Sequence, residues 1–128
     1  MTYSTEIKVR YGEVDNQGVV FNAHYLAYLD DVMDNWLREF KGDFESLGWD
    51  LMLKQAFLEW QGPAGIGEVL KIDAEVTRWG NTSFDVSFQV SAKNQQVLKA
   101  KIVYVGVATG TTKTLKVPAQ ISSYLTNG

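Results

Sequence analysis

Between residues 69 and 108 the chain passes through three stretches of period-two patterning separated only by tight-turn residues, which leaves little choice of topology. Val69, Lys71, Asp73, Glu75 and Thr77 alternate with Leu70, Ile72, Ala74, Val76 and Arg78. That is the spacing of a strand whose successive side chains face opposite ways. Gly80-Asn81 then supplies a turn, residues 83–92 a further strand, Asn94-Gln95 a second turn and residues 97–108 another strand. Short turns join antiparallel neighbours and cannot connect parallel ones, so the three strands form a meander.

The rest of the chain has to be placed around that meander. Residues 3–11 set Tyr3, Thr5, Ile7, Val9 and Tyr11 against Ser4, Glu6, Lys8 and Arg10, which predicts a half-buried first strand. After the turn signal Asn16-Gln17-Gly18, residues 22–40 change to helical spacing, with Tyr25, Leu26, Leu29, Val32, Met33, Trp36, Leu37 and Phe40 on one stripe. Residues 50–60 read as a second strand, and Gly62-Pro63-Ala64-Gly65-Ile66-Gly67 as a turn without the Lys-Ser or Lys-Thr that a P-loop needs. Beyond the break at Pro118 a short helix is expected over residues 119–125. The order predicts an α+β fold, one long helix packed on a five-stranded antiparallel sheet. With 128 residues, 45% of them apolar, residues 1–128 suffice for a single core and domain. One helix covers one face of such a sheet, so apolar side chains remain on the other face or at an edge. Self-association as a homodimer or homotetramer is the expected remedy.

Composition narrows the chemistry. A formal charge of −3 supplies no broad basic field, which argues against nucleic acid and anionic membrane surfaces as partners. The chain has no cysteine, which excludes disulfides, a thiol nucleophile and thiolate metal sites, and the lone His24 leaves too few ligands for a zinc cluster. No run of about 18 apolar residues exists to span a membrane, and residues 1–12 lack the apolar stretch of a signal peptide, so a cytoplasmic location is expected.

Polar residues concentrate at the approach to the long helix, in "YGEVDNQGVVFNAHYLAYLDD", residues 11–31. The simplest reading is structural. Asp15, Asn16 and Gly18 make a turn, Asn22 caps the helix, and His24 is a partly exposed first-turn residue. The functional reading rests on two facts. A helix start offers unpaired N–H groups and partial positive charge to an oxygen that becomes negative during reaction. A carboxylate held nearby serves as nucleophile or as the base that activates water. Together these groups describe acyl transfer.

The run Tyr11-Gly12-Glu13-Val14-Asp15-Asn16-Gln17-Gly18-Val19-Val20-Phe21, followed by Tyr25 and Tyr28, resembles the signature of the hot-dog-fold acyl-CoA thioesterases of the 4-hydroxybenzoyl-CoA thioesterase type. The element order resembles that family's architecture over nearly the whole chain. The resemblance implies that Asp15 is the nucleophile or general base and that the Asn22 N–H receives the thioester carbonyl. It also implies that Gly18, Val19 and Tyr25 contact the substrate, and that Arg78 and Ser83, beside the Gly80-Asn81 turn, meet the coenzyme A end. Neither a metal nor a redox cofactor is implied. Two departures stand out: many relatives carry aspartate where Glu13 stands, and one large subgroup carries histidine where Asn22 stands. Acyl-thioester hydrolysis is the first reading. A non-catalytic acyl-thioester-binding protein on the same fold is the second, and a hydroxyacyl-thioester dehydratase, which would have only His24 as its histidine, ranks last. Met52, Phe57, Trp36 and Trp60 read as core, with no site role.

Overall fold

The alternation in residues 69–108 forms strands as expected. In the computed structural model, which describes residues 2–127, β3 (Val69–Trp79), β4 (Ser83–Ala92) and β5 (Gln95–Ala108) pair antiparallel in sequence. Among the described residues the remaining elements are β1 (Tyr3–Lys8), α1 (His24–Arg38), β2 (Trp49–Trp60) and α2 (Ala119–Asn127). The sheet order is β1-β3-β4-β5-β2, with every pairing antiparallel. The second turn lies one residue earlier than expected. Lys93 and Asn94 both have positive φ, 53° and 60°, and Ala92 pairs with Gln95, which is the two-residue hairpin whose twist matches the flanking strands.

The two faces of the sheet divide as the period-two pattern dictates. Leu70, Ile72 and Ala74 of β3, Phe84, Val86, Phe88 and Val90 of β4, and Leu98, Ala100, Ile102 and Tyr104 of β5 are buried under α1. The helix contributes Tyr25, Tyr28, Leu29, Val32, Met33, Trp36 and Leu37 to the same core. On the opposite face Lys71, Glu75, Lys99 and Lys101 are exposed. The short tail helix docks beside α1, with Ile121 and Leu125 buried and the Tyr124 hydroxyl donating to the Trp36 carbonyl at 2.6 Å. Gly106 is required where it stands, since a Cβ there would lie 2.2 Å from Trp49 Nε1 and 2.5 Å from the Leu115 carbonyl oxygen.

Part of the leftover apolar surface lies on one edge strand. β2 follows α1 in sequence but lies at the far side of the sheet from β1, pairing only with β5. Its Met52, Leu53, Phe57 and Trp60 are exposed. The first strand is shorter than its alternation suggested. It ends at Lys8, and Tyr11, expected on the inward face, sits in a single 3₁₀ turn over Tyr11–Glu13 with 83% of its surface exposed. The helix begins at His24, not Asn22, and its N-cap is Ala23, which makes no side-chain cap. The chain enters through tight turns instead: His24 N–H donates to the Phe21 carbonyl at 2.8 Å and Tyr25 N–H to the Asn22 carbonyl at 3.4 Å. Backbone carbonyls thus fill the role expected of the Asn22 side chain.

Candidate active site

The segment between β1 and α1 folds back on itself because Gly18 permits it. Gly18 has φ of +78°, and its N–H donates to the Asp15 carbonyl at 3.0 Å, closing a turn over residues 15–18. The Asp15 N–H donates to the Val19 carbonyl at 2.9 Å, and Val14 bridges Val20, so a miniature hairpin carries Asp15. The loop over residues 62–67, read from sequence only as a turn, buttresses this hairpin. Val20 N–H donates to the Ala64 carbonyl, Ile66 N–H to the Gly18 carbonyl, and Val19 bridges Gly65. Glu68 fixes the loop in turn by accepting the Gly65 N–H at 2.7 Å.

Asp15 is half-buried on this support. Its Oδ1 accepts the Gln17 N–H at 2.8 Å, an Asx turn of the kind aspartate favours. Among the described residues Oδ2 has no partner. Five residues after the Gly18 turn's Asp-Asn-Gln run, the chain reaches Asn22 and Ala23, both exposed, and among the described residues neither N–H finds an acceptor. A carboxylate oxygen and two amide hydrogens are therefore free at the two ends of one hydrogen-bonded hairpin. Gly18 and Val19 form the bend of the same hairpin, whereas the Tyr25 side chain is core. Tyr25 is 2% exposed, edge-on to Tyr28 and to Trp60, and burial, helped by nearby Glu68, pushes its hydroxyl up to about 12.

Arg78 and Ser83 are brought together with each other but not with Asp15. Arg78 Nη2 donates to Ser83 Oγ at 3.1 Å and stands 2.9 Å from Oδ1 of Asp85, an ion pair without the alignment of a hydrogen bond. Asp85 itself is buried. The loop that holds the Asp15 turn leads into the first residue of β3, while Arg78 sits at the other end of that 11-residue strand. At about 3.3 Å per residue, roughly 30 Å of strand separates them within one chain.

The carboxylate of the region with the most hydrogen bonds among the described residues is one to which the sequence assigns no role. Glu13 is 5% exposed. Its Oε1 accepts the Arg10 N–H at 2.8 Å and the Tyr28 hydroxyl at 2.9 Å, and its Oε2 accepts Arg10 Nε at 3.0 Å and Nη2 at 2.6 Å. Burial alone would raise its pKa, but the Arg10 and Tyr28 hydrogen bonds and the Arg10 charge outweigh it and hold the carboxyl at about 2. His24 Nε2 lies 3.5 Å from the same Oε2, and its ring meets Tyr28 edge-on, so the histidine has an acidic neighbour that sequence did not name. The available signal was the three-residue spacing of Arg10 and Glu13 before a helix start.

Among the described residues no helix is long and apolar enough to cross a membrane. A family model described as the thioesterase-like superfamily matches residues 9–125, and the chain belongs to that superfamily. Its five-stranded sheet with one long helix is the hot-dog fold. The chain is 23% identical over 128 residues to a 1,4-dihydroxy-2-naphthoyl-CoA hydrolase of Synechococcus elongatus, covering 96% of this chain and 94% of that protein. It is 26% identical over 105 residues to the acyl-CoA thioester hydrolase YbgC of Escherichia coli O6:H1, covering 79% and 78%. The 4-hydroxybenzoyl-CoA thioesterase of Pseudomonas sp. strain CBS-3 superposes with a TM-score of 0.87 at 18% identity, over 96% of this chain and 98% of that one.

Proposed function

We propose that this chain hydrolyses acyl-CoA thioesters to the free acid and coenzyme A, with Asp15 as the acting carboxylate and the Asn22 and Ala23 amide hydrogens as the oxyanion donors. The observation that carries the reading is that, among the described residues, Oδ2 of Asp15 and the N–H groups where α1 begins are both without partners, on a segment held together by the Val14–Val20 hairpin. The thioester carbonyl oxygen would face the amides, which stabilise its charge as the carbonyl carbon becomes tetrahedral. Asp15 either adds to that carbon, giving an anhydride that water opens, or takes the proton from an adding water. In both routes the C–S bond breaks and coenzyme A leaves as the thiolate. Membership of the thioesterase-like superfamily and the names of the relatives support this chemistry.

The pocket is completed by a second copy in this reading. A 12-residue edge strand with Met52, Leu53, Phe57 and Trp60 exposed is a template for antiparallel pairing with itself. Such pairing gives a homodimer, and it also supplies the route by which Arg78 and Ser83 of one copy reach the Asp15 of the other. Light scattering would return at least twice the mass of one chain, and a monomer mass at assay concentration would remove the assembly.

The decisive experiment follows thiol release from a panel of acyl-CoAs with a thiol reagent. Wild-type protein releases coenzyme A, and Asp15→Asn lowers turnover by about 10³-fold or more while retaining the fold. Binding without release in the wild type would leave a non-catalytic acyl-thioester binder.

A further inference from the structure

Glu13 is buried, ionised and surrounded by donors, yet the chemistry proposed above makes no use of it. Four hydrogen bonds from Arg10 and Tyr28 occupy both oxygens, two on each. A carboxylate offers about four lone-pair sites, so Glu13 has none left to take a proton from water or to attack a carbonyl. What it joins is more informative. Arg10 precedes the Asp15 hairpin, Tyr28 lies on the second turn of α1, and the Glu13 carbonyl itself accepts the Phe21 N–H at 3.0 Å, immediately before the free amides of Asn22 and Ala23.

We infer that Glu13 is a positioning residue, whose carboxylate locks the Asp15 hairpin to the first turns of α1 so that Asp15 Oδ2 and the Asn22 and Ala23 amides address one carbonyl. This rests on the hydrolase reading given above. Charge-assisted bonds are the strong ones, and Arg10 Nε and Nη2 converge on the single oxygen Oε2 while the Arg10 N–H and Tyr28 hydroxyl hold Oε1, which fixes direction as well as distance. Tyr28 fixes the other end, because its ring is buried in the core and lies against Tyr25 and His24. A misplacement of about 1 Å between reacting groups costs on the order of 10²-fold in rate.

The test compares wild type with Glu13→Gln, Tyr28→Phe, Asp15→Asn and the Glu13→Gln/Asp15→Asn double variant, measuring kcat and KM for one aromatic and one aliphatic acyl-CoA, with the melting temperature of each protein. Folded Glu13→Gln is expected to lose about 10²-fold in kcat with KM changed less than about threefold. Tyr28→Phe, which keeps the packing, is expected to lose about tenfold and carries the test if Glu13→Gln does not fold. Because part of what Glu13 does is aim Asp15, the loss in the double variant should fall well short of the product of the two single losses. Wild-type kcat in folded Glu13→Gln or Tyr28→Phe, or losses that multiply in the double variant, would overturn the positioning role while leaving the hydrolase reading intact. Unchanged kcat in Asp15→Asn would overturn both.

Discussion

Glu13 and Asp15 stand two positions apart on one loop and carry the same functional group, but their surroundings differ at every step. Among the described residues Glu13 is buried and receives four hydrogen bonds, whereas Asp15 is half-buried and receives one, from the Gln17 N–H. The first carboxylate has no spare lone pair and a proton affinity too low for base chemistry. The second keeps one oxygen without a partner among the described residues. A carboxylate satisfied by its own chain builds structure, and one left unsatisfied beside free amide hydrogens is equipped to react.

The largest effect is expected at Asp15. Asp15→Asn should lower kcat by about 10³-fold or more yet leave the melting temperature nearly unchanged, since its Asx turn can be kept by the carboxamide oxygen. Calorimetry and the thiol-release assay on the same sample would show an activity loss without a stability loss; a large drop in both would erase the contrast. Glu13→Gln should show the converse balance, a smaller kinetic loss with about 1–3 kcal/mol of lost stability, because buried donors from Arg10 and Tyr28 lose a charged acceptor. At this chain length that is on the order of 4 °C of melting temperature per kcal/mol.

Acid sharpens the same contrast. The Glu13 carboxyl is lowered from its usual 4.5 to about 2 in the folded chain, so the unfolded state binds the proton first. Its contribution to stability is therefore complete above about pH 4.5 and is lost as pH falls through about 2. Denaturant titrations should find the stability gap between wild type and Glu13→Gln constant above pH 5 and closing between pH 4.5 and 2. A gap that persisted at pH 2 would show that packing, not charge, accounts for it. The smallest effect concerns Arg78, whose charge Asp85 already offsets. KM for an acyl-CoA should change less than about twofold between roughly 50 and 200 mM salt, and a steep rise would mean that unpaired cations hold the phosphates.

Much of this architecture was legible in the chain. Residues 83–92 form a strand at the bounds the pattern predicts, because alternation there is unbroken and both flanks carry turn residues. The Asp15 turn was legible for a similar reason, since Asp, Asn and Gly report local conformation directly. The expected first strand runs on because Val9 and Tyr11 continue its alternation, whereas the observed one ends where its partner begins, at the pairing of Lys8 with Val69, and Glu13 beyond it is held by Tyr28, 15 residues further along. Local patterning carries no record of such a contact. Asn22 misled in the opposite direction, having the right chemistry for a cap at a place where backbone carbonyls had already taken the bonds. Family likeness sets Arg78 and Ser83 at the coenzyme A end of the substrate, and sequence contains no ruler for the length of β3 that lies between them and Asp15.

The buttress over residues 62–67 is the direct continuation of β2, whose last residue, Trp60, also touches Tyr25 in the first turn of α1. Whatever grips that outer strand therefore also steadies the bend carrying Asp15. In the proposed homodimer, specific activity should then depend on how concentrated the protein is, fading as dilution parts the copies and leaves each bend to tremble on its own.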